Sequence, residues 1–199
     1  MMAEDEKPRC EWVPLNDALY VAYHDREWGV PVYDDRTWFE FLILEGFQAG
    51  LSWRTVLHKR ENFRRAFDSF EPQIVARYDD RKIKQLLQDS GLIRNRLKML
   101  AAVSNARTFL KIQETYGSFN DYFWGFTEGR IIVNHWQSVD EIPTRSELSD
   151  RISADLKKSG FRFVGSTIVY ALMQATGMVN DHVVHCFRHT ELAALAREI

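Results

Sequence analysis

Cysteine, proline and glycine are all scarce in this 199-residue chain, at two, five and ten residues. So little glycine and proline excludes collagen-like and low-complexity architectures. Only Cys10 and Cys186 are present, near opposite ends, which excludes a disulfide-rich scaffold. No run of about 18 uncharged apolar residues occurs, so no membrane span is expected. The start, MMAEDEKPRCEW, is acidic and then polar, without the basic start and apolar run of a secretory signal. A cytosolic protein is therefore expected. A large charge excess is missing too: the net charge is -2. That balance excludes a protein that coats nucleic acid through overall charge, but not one with a local basic patch.

Hydrophobic residues make up 45% of the chain and charged ones 27%, the balance of a globular protein. The length is enough for one domain, or two small lobes sharing a core. Aromatics are abundant, with six Trp, seven Tyr and 13 Phe. They serve either as packing or as stacking surfaces.

Helix signals dominate. Asp34 or Asp35 caps a helix of Trp38, Phe39, Phe41, Leu42, Ile43 and Leu44 that breaks near Gly46 or Gly50. Ser52 caps a second, and Pro72 opens a short third. Asp79 or Asp80 opens another, closed by Gly91, and a long helix runs from about Arg94 to Tyr116, closed by Gly117. Thr144 and Glu147 read as a capping box before a helix that Gly160 ends. A further helix spans about Gly165 to Thr176, and Asn180 or Asp181 caps the last one. Only Arg130 to Val133 looks strand-like, too short to build a sheet. The fold class is all-α.

Three constellations carry chemistry. His182 and Cys186 are spaced i, i+4, one face of a helix, and Cys10 with His24 would complete a Cys2His2 set suited to zinc; coincidental spacing with two free buried thiols is the alternative. His185 is a rival ligand. The segment from Leu156 to Thr167 joins two helices through Gly160 and Gly165. Free amides at Gly165, Ser166 and Thr167, beside Lys157, Lys158 and Arg162, suit phosphate; an ordinary helical turn with a solvated basic rim is the alternative. Glu45 follows an apolar run and precedes Phe47, so it is buried in part and needs partners, either a ligand or an Arg. Tyr20, Tyr23, Trp28 and Trp53 face the same cavity or belong to the core.

Six segments together resemble the 3-methyladenine DNA glycosylase I family, within the helix-hairpin-helix glycosylases. They are Arg9-Cys-Glu-Trp-Val, Tyr23-His-Asp-Arg-Glu-Trp-Gly-Val-Pro, Leu44-Glu-Gly-Phe-Gln-Ala-Gly-Leu-Ser-Trp, Lys59-Arg-Glu-Asn-Phe, Gly160-Phe-Arg-Phe-Val-Gly-Ser-Thr and Val179-Asn-Asp-His-Val-Val. The resemblance spans Arg9 to about Phe187. It implies two helical lobes with a base pocket between them and a zinc clip of Cys10, His24, His182 and Cys186 tying the termini. Residues 1–8 are then a disordered extension, 9–187 one glycosylase domain with its hairpin at about 156–167, and 188–199 a C-terminal tail.

The implied reaction is excision of N3-methyladenine from alkylated double-stranded DNA by a monomeric enzyme of the bacterial cytosol and nucleoid. Glu45 matches the carboxylate that hydrogen-bonds the adenine edge. Trp53 matches the stacking residue, and Tyr23 and Trp28 match further pocket aromatics. Gly50 and Leu51 match the segment that fills the gap left in the DNA. The superfamily's Asp position is Asn180 here. Asp181 is one place over and expected to point elsewhere on a helix. The lyase Lys position is Thr167, so a monofunctional enzyme is expected. The rival functions are a non-catalytic, zinc-stabilised DNA-binding module, and a glycosylase for another cationic alkylated base.

Overall fold

The computed structural model describes residues 7–196. The N-terminal extension expected to be disordered therefore lies outside the described residues, apart from Lys7 and Pro8. Ten α-helices and one two-residue strand pair organise the described chain. They are α1 (Ala18–Arg26), α2 (Asp35–Gln48), α3 (Trp53–Ala66), α4 (Pro72–Val75), α5 (Asp80–Gln88), α6 (Arg96–Tyr116), α7 (Phe119–Trp124), β1 (Ile132–Val133), α8 (Glu147–Ser159), α9 (Ser166–Ala175), β2 (Val179–Asn180) and α10 (Phe187–Leu195). No helix among the described residues is long and apolar enough to cross a membrane.

The centre of the fold is α2, buried on every side from Trp38 to Phe47. A helix apolar all round must be enclosed, and α3, α6, α7 and α9 enclose it. Asp34 caps it, its carboxylate accepting from the Thr37 amide at 2.9 Å. Asp35 does different work: it accepts from the amides of Phe119 and Asn120 and from Gln113 Nε2, tying the start of α2 to α7 and α6. The helix does not break at Gly46. It runs through to Gln48, and Gly46 is a packing point where a Cβ would sit 3.5 Å from that of Phe163 in the hairpin.

Several caps fall where the sequence places them, at Ser52, Asp79, Gly117 and Gly160. Four expectations are corrected. The capping box of α8 is Ser146 with Ser149, not Thr144 with Glu147. α5 ends at Gln88 rather than at Gly91. Ile132–Val133 does pair, in parallel, with Val179–Asn180. That pairing makes Asn180 a strand residue, so neither it nor Asp181 caps a helix. The last helix starts seven residues later, at Phe187, and carries the chain beyond the motif region onto the core through His189 and Leu192. Gly177, at φ +73, makes the turn between α9 and β2, where any Cβ would collide with the backbone of Val30 and Pro31.

Candidate active site and metal centre

A cavity of about 380 Å³ opens beside α2, within the usual range for a small-molecule pocket. Every base-binding candidate of the sequence lines it: Tyr20, Tyr23, Trp28, Glu45 and Trp53. The rings make a connected wall. Trp12 stands edge-on to Trp28 at 4.9 Å between centroids and to Tyr20 at 5.7 Å, and Tyr23 lies 5.2 Å from Trp53. Sequence reasoning missed Trp12, although it lies in the Arg9-Cys-Glu-Trp motif. It also missed Gln48, Tyr170 and Gln174, and the cover formed by Val139, Ile142, Pro143 and Thr144.

Glu45 is the one carboxylate among the lining residues. It is only 2% exposed, and its Oε2 has no hydrogen-bond partner among the described residues. The salt-bridged alternative is not seen: Glu45 makes no ion pair among the described residues, and Arg60 and Arg64 are engaged by Glu40 and Glu27. Burial pushes the Glu45 carboxyl up to about 8. Burial, and then the charge of Glu45, raises the Tyr23 hydroxyl, so Tyr23 keeps its proton. The Trp53 indole nitrogen is likewise buried without a partner. Unsatisfied polar atoms in a cavity are rare enough in folded proteins to mark where an occupant binds.

Two segments flank the mouth. Gly50 and Leu51 lie between the pocket residues Gln48 and Trp53, with Gly50 at φ +80 and Leu51 43% exposed. Lys98 holds this turn from α6, donating to the carbonyls of Phe47 at 2.8 Å and Ala49 at 2.6 Å. The second segment is the hairpin between α8 and α9, whose Thr167 also lines the pocket. Asn105, buried on α6, clamps it by accepting from the Arg162 amide at 2.8 Å and donating to the Arg162 carbonyl at 2.9 Å. Lys157, Lys158 and Arg162 are exposed, and α9 starts at Gly165 without a side-chain cap. Gly165 and Ser166 are half-buried at that start.

Cys10, His24, His182 and Cys186 converge, all four ligand atoms within 4.8 Å of one another. His182 and Cys186 meet across a turn rather than along a helix face, because residues 181–185 are irregular. Cys10 Sγ lies 3.5 Å from His182 Nδ1. Cys186 Sγ lies 3.4 Å from the same nitrogen and 3.5 Å from His24 Nε2. A tetrahedron with bonds of about 2.0–2.3 Å has edges of about 3.5 Å, so the spacing fits zinc. The outer contacts fit as well. His24 Nδ1 lies 2.7 Å from Asp25, itself held by Arg9, and His182 Nε2 lies 3.1 Å from the Trp28 carbonyl oxygen. Such partners orient the imidazoles of metal sites. Burial lowers His182, which favours the neutral ring a metal needs. The rival His185 is outside the cluster, paired with Glu11 at 3.0 Å.

A mostly helical chain with a hairpin beside an aromatic pocket holding an unpaired carboxylate has the features of a helix-hairpin-helix base-excision enzyme. The sequence profile of the methyladenine glycosylase family matches residues 12–189, and the chain belongs to that family. It is 49% identical over 178 residues to the DNA-3-methyladenine glycosylase 1 of Escherichia coli (strain K12), covering 89% of this chain and 95% of the relative. It is 44% identical over 178 residues to the DNA-3-methyladenine glycosylase of Haemophilus influenzae (strain ATCC 51907 / DSM 11121 / KW20 / Rd), covering 89% and 96%. A crystal structure of 3-methyladenine DNA glycosylase I superposes with a TM-score of 0.88 at 49% identity, covering 90% of this chain and 98% of that one. A variant of 3-methyladenine DNA glycosylase I in complex with 3-methyladenine superposes at 0.84 with 34% identity, covering 86% and 92%.

Proposed function

We propose that this protein excises 3-methyladenine from alkylated double-stranded DNA by hydrolysing the N-glycosidic bond. The observation that carries the reading is Glu45, a dehydrated carboxylate with an unpaired oxygen inside an aromatic cage. Methylation at N3 leaves the base cationic, so the bond to the sugar is already weak. Departure takes the bonding electron pair onto the base and discharges it. Water adds to the anomeric carbon and gives up a proton. The protein must flip the nucleotide out, hold the base and favour the charge that develops.

Each residue has a part in this. Glu45 accepts a hydrogen bond from the adenine edge and opposes its positive charge. Trp53, Tyr23, Trp28 and Tyr20 offer ring faces to a cation, at about 0.5–2 kcal/mol each. Leu51 fills the space the base leaves. The amides of Gly165, Ser166 and Thr167, with Lys157, Lys158 and Arg162, take the phosphates. Cys10, His24, His182 and Cys186 would hold a zinc ion, which would supply cross-linking of the chain ends rather than chemistry on the base. The enzyme acts as a monomer. It cleaves no strand, because Thr167 stands at the lyase position and no Lys lines the pocket.

The test is Glu45→Gln. The expected result is excision of 3-methyladenine reduced by about 100-fold or more, the scale of a lost charged group in an active site, with binding to undamaged DNA unchanged. A DNA-binding module instead predicts that native protein and variant both release no base.

A further inference from the structure

The part of the pocket wall formed by Tyr170 and Gln174 rests on a second buried carboxylate that the reaction above does not use. Asp181 is 1% exposed and accepts four hydrogen bonds. Its Oδ1 takes Asn134 Nδ2 at 2.7 Å and Trp136 Nε1 at 2.8 Å. Its Oδ2 takes the Tyr170 hydroxyl at 2.7 Å and Gln174 Nε2 at 2.8 Å. Asp181 forms no ion pair among the described residues, so neutral donors alone meet its two oxygens. Tyr170 and Gln174 stand four apart on α9, on one face, and both line the pocket. Asn134 and Trp136 lead into the cover at Val139 to Thr144, whose path is fixed by Asn134 N donating to Asn180 O and Val184 N to Trp136 O.

We infer that Asp181 is a positioning residue that sets the hydrogen-bonding polarity of the base pocket. This rests on the function proposed above. A carboxylate only accepts. The single proton of Tyr170 is committed to Asp181, so toward an occupant this hydroxyl is an acceptor. The Gln174 amide must turn its nitrogen to Asp181, which places Oε1 on the other edge of the amide. With Glu45, the pocket is then furnished to receive a base that is cationic and carries N–H donors. The same contacts tie the pocket cover to α9.

Asp181→Asn tests this with a variant of the same shape. The Trp136 indole nitrogen can only donate, so the amide oxygen must stay on the Asn134 and Trp136 side. The amide nitrogen then faces Tyr170 and Gln174. Tyr170 accepts from it, Gln174 turns over, and no buried group is orphaned, so the variant folds. We expect affinity for free 3-methyladenine to fall by about tenfold or more, the size of one mispaired buried hydrogen bond, with melting temperature and affinity for undamaged DNA retained. In a Tyr170→Phe, Gln174→Met background, the same Asp181→Asn change costs less than threefold. An equal loss in both backgrounds would overturn the inference in favour of a purely structural Asp181, as would unchanged affinity in the single variant. If native protein binds and excises no base, it is the proposed function that fails.

Discussion

The imidazole of His182 joins the Cys2His2 cluster to the aromatic pocket: its Nε2 lies 3.1 Å from the Trp28 carbonyl oxygen, and the two rings stand 4.5 Å apart edge-to-face. Trp28 lines the pocket, and Trp12, also of the pocket, packs on His24 at 5.2 Å. The four Cys and His side chains thus back an aromatic wall as well as bringing residue 10 beside residue 186.

Chelation should therefore reach the pocket. Cys186→Ser is expected to purify without stoichiometric zinc, measured by elemental analysis. It should also melt well below the native protein, since metal binding of this type contributes directly to folding free energy. Base affinity measured below the variant's melting temperature should fall as Trp28 and Trp12 lose their backing. A zinc-free variant with native stability and affinity would contradict this.

Glu45 predicts two pH dependences of opposite sense. Burial raises its carboxyl from the ordinary carboxylate range to about 8. Between those values the folded protein keeps a proton that the unfolded chain releases, so this group makes the native protein less stable as pH rises through the window, by about 1.4 kcal/mol per pH unit. Glu45→Gln removes the effect. Its melting temperature should match the native protein's near pH 4.5 and exceed it above pH 8.

Binding should run the other way. The base is cationic only while it is joined to the sugar, and as a cation it favours the ionised carboxylate, so affinity for DNA carrying 3-methyladenine should rise with pH and level off above about 8. In Glu45→Gln that slope should vanish. A native profile that is flat from pH 6 to 9 would show that Glu45 does not meet the ligand as an anion.

Asn105 and Leu51 should separate DNA contact from base contact. Asn105→Ala leaves the Arg162 amide and carbonyl without their partner, a loss of about 1–3 kcal/mol in stability. It should weaken DNA binding while affinity for the free base stays native. Leu51→Ala, at a half-exposed position, should leave stability unchanged and slow excision from duplex DNA. Equal effects of either change on free-base affinity would contradict the assignment.

Of the helices that frame the pocket, α2 and α3 were legible because local chemistry specifies their starts, Asp34 and Ser52 each capping within three residues, whereas α1, capped by Asp17 and carrying Tyr20 and Tyr23, was not read from the sequence. The pocket residues Tyr23, Glu45 and Trp53 were legible through the motifs that contain them. What composition and spacing could not show is non-local. Asn180 and Asp181 look like helix caps, and His182 to Cys186 has helical spacing. The segment is not helical, because Val179 and Asn180 pair with Ile132 and Val133, some 47 residues earlier, and residues 181–186 follow as irregular chain and a turn. Asn105 meets Arg162 across 57 residues and Lys98 meets Phe47 across 51, with no periodic signal announcing either. Asp181 was expected to point elsewhere, and it is not among the residues that line the pocket; it sits behind Tyr170 and Gln174, on irregular chain after β2 rather than on a helix.

The most direct test is the base released from alkylated duplex DNA, with the freed bases separated by chromatography and the strands then sized before and after alkali. The account predicts release of 3-methyladenine with strands intact until alkali is added. Folded, zinc-loaded protein that releases no 3-methyladenine would contradict it.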